Sequence, residues 1–473
     1  MMNTITLAIF AYILCQVLIG ILMSKRMSSE SDFILAGRSL GLTMGTFTIF
    51  ATWFGAETVV SASGEVYEKG LSAAGADPFG YGLALLITGA LIAGKLWRGG
   101  YITLVDMFRE RFGARAERLA VLLFVPGPLI WGAAQVRAFG QVVSSTSGVS
   151  IEVAILSAAV VVTLYTLIGG LYASAVTDVL QGVVLIMGLL ALGWAVLSHP
   201  SVDLGAIPPD RLNPFSGESL GLAESVERWS VAIFSTLISI ELLSRVLATR
   251  SAETARNATL SAGVVYLLVG LIPLGIGLVA PQLLPHVDEP EQITSLLARD
   301  LLRWGGPFPE LPFVIFAGAL ISAILSTVDS VLLSGASALS HNLLVPALKL
   351  KSDAAKLLST RVSVALLCVS ATALSLSGLS IHELIEYSSA FGSAGLLTCF
   401  LFGLFSRLGG ERSALATMGL SVCYWLTMSF VVNTEAPYTL SLALTFITYP
   451  LLALLFGERH TLEESALAEE PIA

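Results

Sequence analysis

The chain has 473 residues, of which 55% are hydrophobic and only 12% charged. An ordinary soluble domain carries about 25% charged residues, so this composition, with a mean hydropathy of +0.83, excludes a soluble enzyme. The net charge of −9 comes largely from outer loops and the tail and leaves no basic footprint for nucleic acid.

The first apolar run, Thr4 to Met23, is about the 20 residues that a helix needs to cross a bilayer. No Lys or Arg precedes it, and the first positive charges are Lys25 and Arg26, so it reads as a retained span and not as a signal peptide. Twelve more spans are expected at 42–63, 77–96, 119–142, 150–170, 177–197, 229–249, 259–280, 311–337, 360–378, 383–406, 412–432 and 437–456. Cytoplasmic loops retain Lys and Arg. With the N-terminus outside, nineteen of the 25 fall on the inner side and five outside (Lys69, Arg211, Arg228, Arg299 and Arg303), while Arg137 lies within a span. The fold class is therefore an all-α polytopic membrane protein of thirteen transmembrane helices, placed in the plasma (inner) membrane with its C-terminus in the cytoplasm. Residues 1–456 read as one transmembrane domain and 457–473 as a short cytoplasmic tail, too short for a signalling domain.

The longest segments between spans, 198–228 and 281–310, are both expected outside. In the second, the spacing of Ile293, Leu296, Leu297 and Leu301 predicts a short amphipathic helix lying on the membrane. Cys15, Cys368, Cys399 and Cys423 all fall within apolar spans and read as small core hydrophobes. The five histidines show no paired spacing for a metal.

Polar side chains inside a span usually face a solute or ion path, because lipid cannot satisfy them. The second span contains Ala51-Thr52-Trp53-Phe54-Gly55-Ala56-Glu57-Thr58. Gly55 allows a helix break that would free carbonyls for an ion, and Trp53 and Glu57, four apart, share a face. The fourth span carries Trp131 and Gln135 on one face and Arg137 on the opposite side, where Arg137 either serves the site or neutralises Glu57 or Glu241. After the turn Gly169-Gly170-Leu171-Tyr172, Asp178 either guards an ion's exit or caps its helix. The seventh span holds a second buried acid, Glu241, beside Ser235 and Ser239. On the ninth span, Ala323, Ser326, Thr327 and Ser330 share one face. Their hydroxyls suit a hard cation of sodium's size, or else knit helices together.

These residues together resemble the sodium:solute symporter family over nearly the whole chain. The resemblance rests on Leu35-Ala36-Gly37-Arg38-Ser39-Leu40-Gly41, on Gly169-Gly170-Leu171-Tyr172 through Thr177-Asp178 and Gln181, on Ser326-Thr327-Val328-Asp329-Ser330, and on Ala390-Phe391-Gly392-Ser393-Ala394. It implies two inverted five-helix repeats, spans 2–6 and 7–11, flanked by spans 1, 12 and 13. It also implies a sodium site made by carbonyls of Ala51, Phe54 and Ala323 with the hydroxyls of Ser326 and Thr327. Within the family, Ala51-Thr52-Trp53, Gly80-Tyr81, Gly99-Gly100-Tyr101 and Leu129-Ile130-Trp131-Gly132-Ala133-Ala134 are most similar to the high-affinity choline transporter branch. That likeness implies an aromatic cage of Trp53, Tyr81 and Trp131 around the substrate. Ser239 stands where the branch has a cage tryptophan, and Glu57 and Glu241 have no counterpart there.

The expected function is sodium-coupled import of a small polar organic solute, cationic or zwitterionic, such as a quaternary amine or an amino acid. Glu57, Gln135, Ser239 and Glu241 join the aromatic residues as substrate-binding candidates. Two alternatives are proton coupling through Glu57 or Glu241, and a transporter-like receptor without net transport. The expected partners are the solute, sodium and the lipid bilayer, with no nucleic acid and no obligatory protein partner.

Overall fold

The computed structural model describes residues 29–458 except 56, 148, 215–220, 304–308, 378–383, 385–387 and 389–391, together with residues 14, 18–19 and 21–23. The first expected span, most of the tail and the motif at Ala390 and Phe391 lie largely outside the described residues. Among those residues the fold is helical, with one isolated bridge between Leu40 and Thr249 and no strand.

Nine helices among the described residues are long and apolar enough to cross a membrane. They meet the third, fourth, sixth to tenth, twelfth and thirteenth expected spans. Ile151–Leu164 and Ser393–Phe405 are shorter apolar helices at the fifth and eleventh. The second is divided into Leu42–Trp53 and a helical run from Glu57 to Lys69. Leu164, Met187, Leu268 and Val369 stand exposed on the helix flanks, where a bilayer and not water must cover them. The chain is a multi-pass membrane protein.

The ninth span, Leu311–Ala338, runs through the centre and is buried without interruption from Ala319 to Ala338. A helix apolar on all sides is one that neighbours surround. Its Gly, Ala and Ser residues let those neighbours come close.

Three expectations change. The fifth and sixth spans form one helical run, Ile151–Leu197, redirected at Gly170 (φ 52, ψ −176). Only a residue without a Cβ adopts that backbone readily, and residues 171–176, expected to lie between two spans, are helix. The short helix Ile293–Leu301 buries Ile293, Thr294, Leu297 and Ala298, so its apolar face packs into the protein instead of the membrane surface. Gly64 makes room beside it: a Cβ there would lie 2.8 Å from the Pro290 carbonyl. Finally, Cys368 and Cys399 are buried, but Cys423 is exposed. Lipid is as apolar as the core, so hydropathy could not separate the two environments.

Candidate functional site: a cleft between two helix breaks

The site begins where two helices stop. Leu42–Trp53 ends at Phe54 (φ −86, ψ 74). The Gly55 N–H bonds to Trp53 O at 3.1 Å and not to Ala51 O, which an unbroken α-helix would use. A Cβ at Gly55 would sit 2.6 Å from a Glu57 carboxylate oxygen, so glycine is what lets that carboxylate lie over the break. The seventh span is interrupted as well. There Ser239 (φ −67, ψ 126) leaves the helix and caps Ile240–Leu247, accepting from Leu242 N at 3.3 Å. The two breaks fall in the first span of each expected five-helix repeat, the arrangement by which inverted-repeat transporters expose helix ends to cargo.

Trp53, Glu57, Tyr81, Trp131, Ser239 and Glu241 all line one cleft between the breaks, with about 80 Å³ of room for water centres. A larger vestibule of about 590 Å³ on the same measure lies on the other side of Glu57 and Tyr81, which line both. Glu65, Asp77, Glu224, Glu227 and Glu435 line the vestibule, with Arg228 its sole basic residue among those described. Arg228 is itself paired with Glu65 at 3.2 Å and Glu224 at 3.3 Å. Such an acid-lined funnel concentrates cations.

Glu57 holds the cleft's inner wall together. Trp131 Nε1 donates to Glu57 Oε1 at 3.2 Å, and Gln135 Nε2 donates to Oε2 at 2.7 Å. Gln135 is fully buried behind the carboxylate. Trp53 meets Trp131 edge-on with ring centroids 5.2 Å apart, and Tyr81 at 6.0 Å. Arg137 takes no part: its Nη1 donates to Ser375 O at 3.0 Å. The expected pairing of Arg137 with Glu57 or Glu241 is therefore not made, because the opposite helix face carries it to the tenth span.

A second polar cluster joins the second, sixth, seventh and ninth spans. Thr48 Oγ1 and Ser326 Oγ donate to the two oxygens of Asp178, each at 2.5 Å. Thr52 Oγ1 and Ser330 Oγ are 3.0 Å apart, and Thr327 Oγ1 donates to Ala323 O at 3.1 Å. Asp178 is fully buried and lies well inside the run that follows Gly170, so it caps no helix end. Ala51, Phe54 and Ala323 are buried nearby in the chain. Carbonyls at a helix break together with hydroxyls on a facing helix are the oxygen donors that sodium takes in such folds.

Sequence reasoning missed two residues. Arg245, counted above with the inner charges, has no exposed surface. It donates to Ser330 Oγ, to Ser334 Oγ at 3.2 Å and to Ser244 Oγ at 3.0 Å. Its place four residues after Glu241 was the available signal. Asp77 accepts from Thr58 Oγ1 at 2.6 Å and Tyr266 OH at 2.8 Å. Three residues at scattered positions make that contact, and no local spacing announces it.

The family model described as the Sodium:solute symporter family matches residues 33–420. The human high affinity choline transporter 1 is 28% identical, aligned over 93% of this chain and 83% of that protein. The osmoregulated proline transporter OpuE of Bacillus subtilis (strain 168) is 26% identical over 91% of this chain and 90% of that protein. Among solved structures, a sodium-coupled sialic acid symporter in a substrate-bound outward-open state superposes with a TM-score of 0.84, covering 97% of this chain and 98% of that one at 17% identity. Mhp1, a nucleobase-cation-symport-1 family transporter, in a closed conformation gives 0.61 over 91% and 96% at 14% identity. At these identities the structural likeness speaks for the fold.

Proposed function

Because the chain belongs to the sodium:solute symporter family, we propose that its solute binds in the cleft between the two helix breaks and that sodium binds at the oxygen cluster around Ser326. The protein is a sodium-coupled symporter of a small solute. The observation that carries the site assignment is the convergence of both breaks on one cleft, with Trp53 and Glu57 from one and Ser239 and Glu241 from the other. Sodium is then held by carbonyls of Ala51, Phe54 and Ala323 and hydroxyls of Ser326 and Thr327, with Asp178 beside them. The acids of the cleft and vestibule favour a cationic or zwitterionic solute. Choline and proline, named for two relatives, are of those two classes.

With the N-terminus outside the plasma membrane, the vestibule faces outward and takes solute from that side. A ligand shifts a conformational equilibrium only through its differential affinity. Sodium should accordingly favour the outward-open form, and solute must in turn tighten sodium binding by the same factor. The test is uptake by purified protein in proteoliposomes, at fixed pH and membrane potential, with and without an inward sodium gradient. Accumulation should require the gradient. Uptake that follows pH and ignores sodium would point to Glu57 or Glu241 as a proton carrier.

A further inference from the structure

Resting on the solute-site assignment above, we infer that the solute carries a protonated amine with N–H bonds, held by Glu57, and that a fully methylated ammonium is the wrong cargo for this cleft.

The first observation is the shape of the aromatic surface. A cation bound by two rings needs an open face of each within about 6 Å of it. Trp53 and Trp131 instead meet edge to face at 5.2 Å, with an interplanar angle of 72°. Tyr81 stands against Trp53 at 6.0 Å and 82°. In each of these pairs the edge of one ring covers part of the other's face, so fewer ring faces are left open to a cation. The position that could have closed a box on the seventh span is Ser239, a small hydroxyl whose oxygen already accepts from Leu242 N.

The second observation is the bonding of Glu57. Each of its oxygens accepts one N–H, from Trp131 and from Gln135. Both donors are neutral, so neither brings a charge to the carboxyl group. A carboxylate has about four acceptor sites, so one on each oxygen remains for a ligand, and Glu57 lines the cleft. The protein supplies no cation for it there. Arg137 is engaged with Ser375, Arg245 with the serines of the seventh and ninth spans, and no Lys, Arg or His is among the described residues lining the cleft. Behind Glu57, Gln135 Oε1 is a buried acceptor without a donor among the described residues.

At Glu57 and Gln135 the acceptor sites outnumber the N–H bonds given to them. An ammonium with N–H bonds supplies both the missing charge and the missing donors, and charge-assisted bonds of this kind are the strong ones. A trimethylated ammonium supplies charge alone. It also holds the carboxylate at a distance through its methyl groups and leaves the remaining acceptor sites of Glu57 unmet, the costly outcome.

The test is a binding panel on the full-length purified protein, read by thermal shift and isothermal titration. Each amine is paired with its trimethylated counterpart: ethanolamine with choline, glycine with glycine betaine, and propylamine with propyltrimethylammonium. Every titration is run once in sodium and once in potassium. The N–H form of at least one pair should bind at least about tenfold more tightly than its counterpart, the effect of losing one hydrogen bond to a charged group. Glu57→Gln should bring that ratio close to one, whereas Glu57→Asp, shorter and still anionic, should retain a preference. If Glu57→Gln does not fold, the wild-type ratios and Glu57→Asp decide. The inference is overturned if the trimethylated forms bind as tightly or more tightly, if no amine binds, or if Glu57→Gln leaves the ratio untouched. A preference for N–H forms that is identical in sodium and potassium keeps the amine assignment and counts against sodium coupling. Stabilisation by sodium without binding of any amine does the reverse.

Discussion

Ser326 Oγ donates to Asp178 Oδ1 at 2.5 Å, joining the ninth span to the sixth inside the bundle. Thr48 Oγ1 reaches the other carboxylate oxygen from the second span, also at 2.5 Å. One buried carboxylate thus fixes three helices beside the break at Phe54. Any ion that draws on the Ser326 hydroxyl must share it with Asp178, which couples ion binding to the relative positions of these spans.

Ser326→Ala removes both an ion ligand and a donor to Asp178, so the sodium concentration for half-maximal uptake should rise by about tenfold or more. Thr327→Ala should act in the same direction but less, since its hydroxyl also donates to Ala323 O within its own helix. Sodium titration of uptake in proteoliposomes is the measurement. Unchanged sodium dependence in both variants would remove this cluster from the ion site.

Trp131 and Trp53 should separate under the same substitution. Trp131 Nε1 donates to Glu57, whereas Trp53 contributes its ring to the wall. Trp53→Phe keeps an aromatic face and should weaken solute binding by no more than about fivefold, under ~1 kcal/mol. Trp131→Phe also deprives Glu57 of a donor and should cost about tenfold or more. Equal losses at the two positions, measured by titration with the transported solute, would mean that the Trp131 bond does not organise the carboxylate.

Much of this arrangement was legible because bilayer physics leaves few options. A run such as Leu311 to Ala338 must be a helix in lipid, and Gly55 next to the buried Glu57 announced a break. The face shared by Trp53 and Glu57, and the face shared by Trp131 and Gln135, follow from helical spacing, and the structure turns these two faces toward each other. What spacing could not give was the partner across the bundle. The break at Ser239 has no Gly or Pro to mark it; its signal is a Ser ahead of an acid-bearing first turn. Arg245 looked like a loop charge because it stands near the span's end, yet its guanidinium turns inward to Ser330 and Ser334. Arg137 was placed on the right helix face, but only the packed bundle shows that Ser375 O is there to receive it.

That last contact makes a prediction about energetic independence. Glu57 bonds to Trp131 and Gln135, and Arg137 bonds to the tenth span. Sites without shared partners are additive to within about 0.5 kcal/mol. In a double-mutant cycle of Glu57→Gln and Arg137→Gln, followed by thermal unfolding, the two losses should therefore simply add. Recovery of stability in the double variant would show a Glu57–Arg137 pairing in solution.

Arg245 sets the most demanding test of the core. It is wholly buried, donates to three serine hydroxyls on the seventh and ninth spans and to Glu241 O, and lies close enough for its charge to act on Asp178, Glu241 and Asp329. Removing one member of a buried charged group strands the others, at a cost of about 3–5 kcal/mol. Arg245→Met, similar in bulk and uncharged, should lower the unfolding temperature of the purified protein by several degrees and reduce its expression. Arg245→Lys keeps the charge but not the planar fork that reaches Ser330 and Ser334 together, so it should recover only part of the loss. The order of stability should be Arg, then Lys, then Met. If the Met variant is as stable as the parent, the guanidinium does not balance these acids, and the polar cluster must hold by its hydroxyl bonds alone.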